Sequence, residues 1–312
     1  MRIKISDDLL TQKEKLIQII YFVSSLHDKH SICTDNVGKI FDTLGRDSFE
    51  STYLMELISK QANGIDFVNS VEITLNEDGF GKIKFDSFGH VLSKNAIVIL
   101  ENKINDSRFI QFILKSKGYR NIAESYGTLW SIESNGGCGQ IPELIEEQLK
   151  CGICRTRILV IHDSDKLYPQ AVLSKAHSNI IQKCKENHIK CHTLKKREME
   201  NYIVDDLLFN IIHKDHDYHQ AWSRLTNYQK SHYDYKYGFA SKKYDNAEYG
   251  GLFAHLSAED QKCLNDGFGK DIANLAFLDA NLHFFYGDNL KNWCHNADIE
   301  FKSICSQIES IL

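Results

Sequence analysis

Two short β-branched runs, each ending in a carboxylate and leading into a helical pattern, constrain this chain more than any other feature. Ala96-Ile97-Val98-Ile99-Leu100 is followed by Glu101, and Ile158-Leu159-Val160-Ile161-His162 by Asp163 and Asp165. Continuous apolar runs of this length suit strands buried on both faces, as in a parallel sheet covered by helices. The residues between and after them complete the pattern. Helical spacing over about 107–117 places Phe109, Ile110, Phe112 and Ile113 on one side. Thr128-Leu129-Trp130-Ser131-Ile132 reads as a strand broken by Asn135-Gly136-Gly137. Helices follow at about 141–149 and 171–187, and a strand at 189–194 closes the unit. This α/β order predicts a mainly parallel sheet flanked by helices, with ligands outside the carboxyl ends of its strands. Glu101, Gly136-Gly137 and Asp163/Asp165 all fall at those ends. Carboxylates gathered there repel one another unless a cation sits among them, so divalent-metal and phosphate chemistry is expected.

The flanks read differently. Residues 1–92 form an N-terminal helical/β-hairpin module, residues 93–212 the central α/β domain, and residues 213–312 a helical C-terminal region. In the first, a helical pattern covers about 9–26, and Asp35 and Ser48 are candidate caps of two further helices ending near Gly45 and Gln61. Segments 71–75 and 82–85 flank Asn76-Glu77-Asp78-Gly79, a hairpin signal. Three helices and a hairpin are winged-helix-like. Residues 1–90, however, carry 10 Lys and Arg against 14 Asp and Glu, the wrong sign for reading DNA. A packing or protein-interaction module is the competing reading. Residues 213–249, rich in His, Tyr and Lys, read as an exposed loop or lid. There, Trp222, Tyr228, Tyr233, Tyr235 and Tyr237 interleave with Lys230, Lys236, Lys242 and Lys243. They offer stacking faces and cations to a nucleic acid, or else loop and core packing. His213, His216 and His219, spaced by three, do not keep to one helical face and read as solvated polar residues.

Composition narrows the setting. The chain has 312 residues, 42% hydrophobic and 25% charged, within the range of ordinary folded proteins. It has no run of about 18 apolar residues and no signal-peptide core at its start, so a cytoplasmic location and no membrane partner are expected. Nine scattered cysteines point to free thiols rather than a disulfide framework. Cys151-Gly152-Ile153-Cys154 lacks a second pair at comparable spacing and reads as a helix-to-strand turn rather than a zinc site. A net charge of −5 does not announce a nucleic-acid binder, but leaves room for one that reaches phosphates through metal ions and a local basic patch.

A Glu after the first strand, glycine after the second and Asp-x-Asp after the third resembles the TOPRIM superfamily, which includes topoisomerases, bacterial primases and the "overcoming lysogenization defect" (OLD) nucleases. The match covers about residues 96–194. Leu194-Lys195-Lys196-Arg197-Glu198-Met199-Glu200-Asn201-Tyr202-Ile203 is similar to the stretch that follows the last TOPRIM strand in OLD-type and stand-alone defence nucleases. Two departures stand out. Asn102 occupies the usual glycine position, and the second acid is represented only by Asp106, a second metal ligand or a helix cap. The resemblance implies an Mg²⁺- or Mn²⁺-dependent endonuclease acting on DNA or RNA. Glu101, Asp163, Asp165 and Asp106 would hold the ions, and Glu200 and Lys196 would assist catalysis. Gly136, Gly137, Lys195 and Arg197 would bind phosphate. No Walker-type loop is present, so an ATPase or sensor would come from a partner protein, in an anti-phage defence setting; self-association is also open. The alternatives are a primase-like enzyme on the same fold and a catalytically silent partner-binding or regulatory subunit.

Overall fold

A computed structural model describes residues 1–26, 29–61, 67, 69–77, 79–241, 247–286 and 289–312. Two four-stranded sheets organise the chain, and every neighbouring strand pair in them is parallel. The first contains β1 (Arg2–Ile5), β2 (Ser31–Ile32), β3 (Ser70–Thr74) and β4 (Lys82–Lys84) in the order β2-β1-β3-β4. Helices Lys13–Ser25, Val37–Leu44 and Phe49–Gln61 share its core through Leu16, Ile19, Ile20, Ile40, Leu44 and Leu54. Ser48 caps the third helix as expected, its Oγ accepting the Ser51 N–H at 3.2 Å. Asp35 instead lies in a single turn of 3₁₀ helix, Thr34–Asn36, ahead of the second.

The expected hairpin, and the winged-helix arrangement built on it, is corrected. The two segments do pair, but in parallel, with Glu72 opposite Lys82 and Ile73 opposite Ile83. The chain reverses twice between them. Thr74 Oγ1 accepts the Glu77 N–H and donates to the Glu77 carbonyl. A Gly79–Lys82 antiparallel bridge makes the second reversal, and Gly81 there has φ +73°, a conformation glycine takes without strain. Turn-forming residues announced a reversal but not how many; Asp78 lies outside the described residues. The sequence reading also passed over β1. Its exposed Arg2 and Lys4 alternate with buried Ile3 and Ile5 over only four residues, too short a stretch for periodicity to register.

The second sheet contains β5 (Ala96–Ile99), β6 (Trp130–Glu133), β7 (Ile158–His162) and β8 (Lys190–Thr193) in the order β6-β5-β7-β8. Central β5 and β7 are buried at every residue, whereas edge strands β6 and β8 carry partly exposed polar positions. Helix Lys103–Ser116 covers one face with Phe109, Phe112 and Ile113. Helices Ile141–Lys150 and Lys175–Glu186 cover the other with Leu144, Ile145, Ile180 and Cys184. The first of these begins four residues earlier than its apolar pattern indicated. Asn102 Oδ1 accepts the Ile104 and Asn105 N–H groups at 3.0 and 3.3 Å and starts the helix there.

From residue 195 onward the chain is mostly short helices, ending in helix His295–Glu309. Their core is continuous with that of the second sheet: Phe109 meets Phe277 at 5.0 Å and Phe301 at 5.7 Å between ring centroids. The expectation of an exposed loop at 213–249 is corrected for most of its length. Trp222, Tyr233 and Tyr235 are essentially inaccessible. Trp222 meets Tyr233, Tyr235 and Phe268 edge-on at 5.0–5.4 Å. Burying a large apolar side chain contributes roughly 1.5–3 kcal/mol, and these rings supply that to the core instead of stacking on bases. Tyr228 and Tyr237 stay exposed; Lys242 and Lys243 lie outside the described residues. Among those residues no helix is long and apolar enough to cross a membrane.

Candidate metal centre

The turn after β7 is the organising feature. Asp165 sits at φ +50°, a left-handed conformation that Asp adopts more readily than most residues. Just before it, the Ser164 and Asp165 N–H groups both donate to the Arg197 carbonyl, at 3.1 and 3.0 Å. Buried Ser164 donates its Oγ–H to the Lys196 carbonyl at 2.8 Å. The Asp-x-Asp turn is thereby stapled to the segment 195–203, which brings Glu200 towards it. From β5, Glu101 Oε1 accepts the Asp163 N–H at 3.0 Å. Asp106, one turn into the following helix, accepts the Asn102 N–H at 2.8 Å, and it lines with Asp163 one small void floored by Leu100, Phe109 and Ile161. The cap of that helix is Asn102, and Asp106 reaches back to it.

The electrostatics follow from this crowding. Part of Glu101, Asp106 and Asp163 still reaches solvent, yet surrounding protein withdraws their carboxyls from bulk water. Burial raises Asp163 well above the usual carboxylate range, and Glu101, Glu200, Asp106 and Glu198 push it further. Asp106 is pushed up to about 7, by burial first. Glu101 is raised by burial and by Asp165, against the Asp163 N–H. Glu200 is almost wholly buried and raised to about 7, by burial, with Lys236 opposing. Its Oε2 has no hydrogen-bond partner from any other described residue. An orphaned buried carboxylate oxygen amid raised carboxyls is a donor set short of a cation, and all-oxygen donors suit Mg²⁺ or Mn²⁺. Among the described residues, however, the ligand atoms that gather within 4.8 Å of one another are those of Glu101, His162 and His177, not those of the four carboxyls.

One cation is already at the edge of this cluster. Lys236 contacts Glu198 Oε2 at 2.9 Å and Glu200 Oε1 at 3.2 Å. Burial works against its charge, but Glu200 and Glu198 outweigh that and hold its ammonium above the usual lysine range. Lys196, expected in that role, is elsewhere. Its Nζ donates to the Asn201 carbonyl at 2.7 Å and lies 4.0 Å from the Trp293 ring centroid, and burial lowers it to about 8. Arg197 bonds Asp234 at 3.0 Å and Glu198 at 3.3 Å. Lys195 gives its backbone N–H to Glu300 and exposes its side chain. Gly136 and Gly137 take φ +84° and +80°. Their amides donate to Ser134 Oγ and the Glu101 carbonyl, so a phosphate contact there would displace an existing bond.

Two histidines passed unnoticed in the sequence. Glu101, His162 and His177 each offer a ligand atom, and these atoms lie within 4.8 Å of one another. The imidazoles are also linked in a chain: Thr193 Oγ1 to His162 Nε2 at 3.0 Å, His162 Nδ1 to His177 Nδ1 at 3.1 Å, and His177 Nε2 to Asp165 Oδ2 at 3.0 Å. The His177 hydrogen bond lowers Asp165 and raises His177 in return. Asp165 is therefore the ionised, half-exposed carboxylate of the group, unlike the raised Asp163 beside it. A polar residue closing the β7 run was the one available signal for His162; His177 had none, and Lys236 stood out only among the lysines interleaved with tyrosines. No family model, curated protein or solved structure matches the chain.

Proposed function

We propose that this protein is a metal-dependent nuclease whose TOPRIM-like central unit hydrolyses phosphodiester bonds. The observation that carries the reading is the meeting of Glu101, Asp106, Asp163 and Glu200 at the carboxyl edge of β5 and β7, with a buried Glu200 oxygen left without a partner. Glu101, Asp163 and Asp106 would hold the divalent ion, with Glu200 supporting from the adjoining segment. A bound ion supplies positive charge to the phosphate and lowers the pKa of water. Asp165, kept ionised by His177, presents a carboxylate to the open side, where it can orient a water or a second ion. Lys236 fixes Glu198 and Glu200 and limits the repulsion within the cluster. The likeness of the Arg197-to-Tyr202 stretch to that of defence nucleases supports an effector that works with an ATPase or sensor in anti-phage defence.

Lys236 also favours a second reading, a catalytically silent subunit in which an ammonium partly replaces the metal. Incubating the purified protein with plasmid, single-stranded DNA and total tRNA, in Mg²⁺, Mn²⁺ or EDTA, separates the two. The nuclease reading expects ion-dependent cleavage that Glu101→Gln and Asp163→Asn each reduce at least ~100-fold, the scale of losing a charge that stabilises the transition state. Cleavage that persists in both variants places the chemistry elsewhere. No cleavage with any ion or substrate favours the silent subunit.

A further inference from the structure

A cleft of about 490 Å³ opens beside the carboxylate turn, lined by Lys166, Lys195, Tyr228, Ser231, His232 and Glu300 among others. Its size falls in the ~300–1,000 Å³ range of sites that enclose a small organic unit. Lys166 directly follows Asp165, and Lys195-Lys196 directly precede the Arg197 carbonyl that holds the turn. The cleft and the carboxylates therefore share the same two backbone segments. Its acid, Glu300, is buried and committed to Tyr202 at 2.5 Å, His192 at 3.0 Å and the Lys195 N–H at 2.8 Å. The charge it shows to solvent is thus that of Lys195, exposed, and Lys166, partly so. Tyr228 leaves 53% of its surface open and stands edge-on to His232 at 5.9 Å. His232 is fixed in turn by donating from Nδ1 to the Lys166 carbonyl at 2.9 Å.

We infer that this cleft binds an unpaired stretch of the polynucleotide flanking the bond at the carboxylates, with Lys166 and Lys195 on its phosphates and a base stacked on Tyr228. This rests on the nuclease reading for its substrate. The combination is what selects the ligand: a free phosphate would use the lysines but not the ring, and a duplex would keep its bases from Tyr228. Tyr228, with Tyr237, stays exposed in a region where Trp222, Tyr233 and Tyr235 are buried, and of the two it is Tyr228 that lines the cleft.

Binding measured without any metal keeps this inference separable from cleavage. Fluorescence anisotropy of labelled single-stranded DNA and RNA oligonucleotides, titrated with the full chain in EDTA, should show saturable binding that weakens with salt. Lys166→Gln with Lys195→Gln should lower affinity roughly ten-fold or more and make the log-affinity against log-salt slope shallower by about 1.4, or ~0.7 per phosphate contact. Tyr228→Ala should lose roughly ten-fold, while Tyr228→Phe keeps its ring and its affinity. Lys4→Glu, on the exposed face of β1, serves as a surface-charge control and should bind like wild type. Cleft variants that bind like wild type, a Tyr228→Phe loss equal to that of Tyr228→Ala, equal or tighter binding of duplex, or no binding of any oligonucleotide would each overturn the proposal. Ion-free binding in a protein that cleaves nothing would retain the cleft and remove the nuclease reading alone.

Discussion

Burial lifts Glu200 from an ordinary 4.5, and Asp106 from 3.8, to about 7 in the folded chain. A carboxyl whose folded-state pKa is raised binds its proton more tightly when folded. Its contribution is therefore favourable below the ordinary value and is lost as pH climbs through the raised one. For Asp106 the window runs from about 4 to about 7, and the full loss is on the order of 4 kcal/mol. Asp106→Asn removes the titration while keeping an oxygen for the Asn102 N–H. In EDTA, the melting temperature of this variant relative to wild type should therefore rise steadily across that window and level off above it. A difference that stays flat or falls would mean that Asp106 is not held in a proton-favouring site. Asp106 and Glu200 were both legible as site candidates, but the burial that raises them is not written in the sequence. Glu101 and Asp163 were legible because each ends an apolar run, whereas Lys236, in a tyrosine-rich stretch 36 positions after Glu200, was marked only as a cation for nucleic acid and not as a partner of these carboxyls.

The elements that position the site are two parallel strands and one irregular segment. The strands were legible since four or five buried residues in a row, mostly Ile and Val, have few other uses. The segment 195–203 was noticed for its charges, but its work is mostly done by backbone: the Arg197 carbonyl holds two amides of the β7 turn, and the Arg197 N–H donates to the Ser231 carbonyl at 2.9 Å. Sequence patterns report side chains and miss such contacts. The same gap explains the tyrosine-rich stretch. Its rings and lysines suggested a nucleic-acid face, yet helix His216–Ser223 turns Trp222 into the core. Trp222→Ala should cost about 3–5 kcal/mol, read as a lower denaturation midpoint at unchanged m-value. Tyr228→Ala, at an exposed position of helix Asn227–Lys230, should stay within about 0.5 kcal/mol of wild type. Equal losses in the two would show that the buried-ring assignment is mistaken.

At the scale of the molecule, two parallel sheets meet at the backbone that leads into β7. Arg157, at the start of β7, donates to the Lys94 carbonyl at 2.5 Å and the Leu129 carbonyl at 3.4 Å, and Asn69 from the first sheet donates to the Thr156 carbonyl at 3.0 Å. The first sheet was not legible, as its strands are short and its connection between β3 and β4 carries hairpin residues that make a double turn. The second was legible almost throughout, because β5, β6 and β7 each lead on to a helix with a clear apolar face. On this frame burial, and then the mutual repulsion of the carboxyls at the ends of β5 and β7, raise Asp163 well above the usual carboxylate range. The account requires that a divalent ion relieve that repulsion. Calorimetric titration of the metal-free protein with Mn²⁺, above the raised pKa values of the site, is the most direct test. Saturable binding that Glu101→Gln and Asp163→Asn each weaken at least ~10-fold, about 1.4 kcal/mol, is the predicted result. Binding unchanged in both variants, or none at millimolar Mn²⁺, would contradict it.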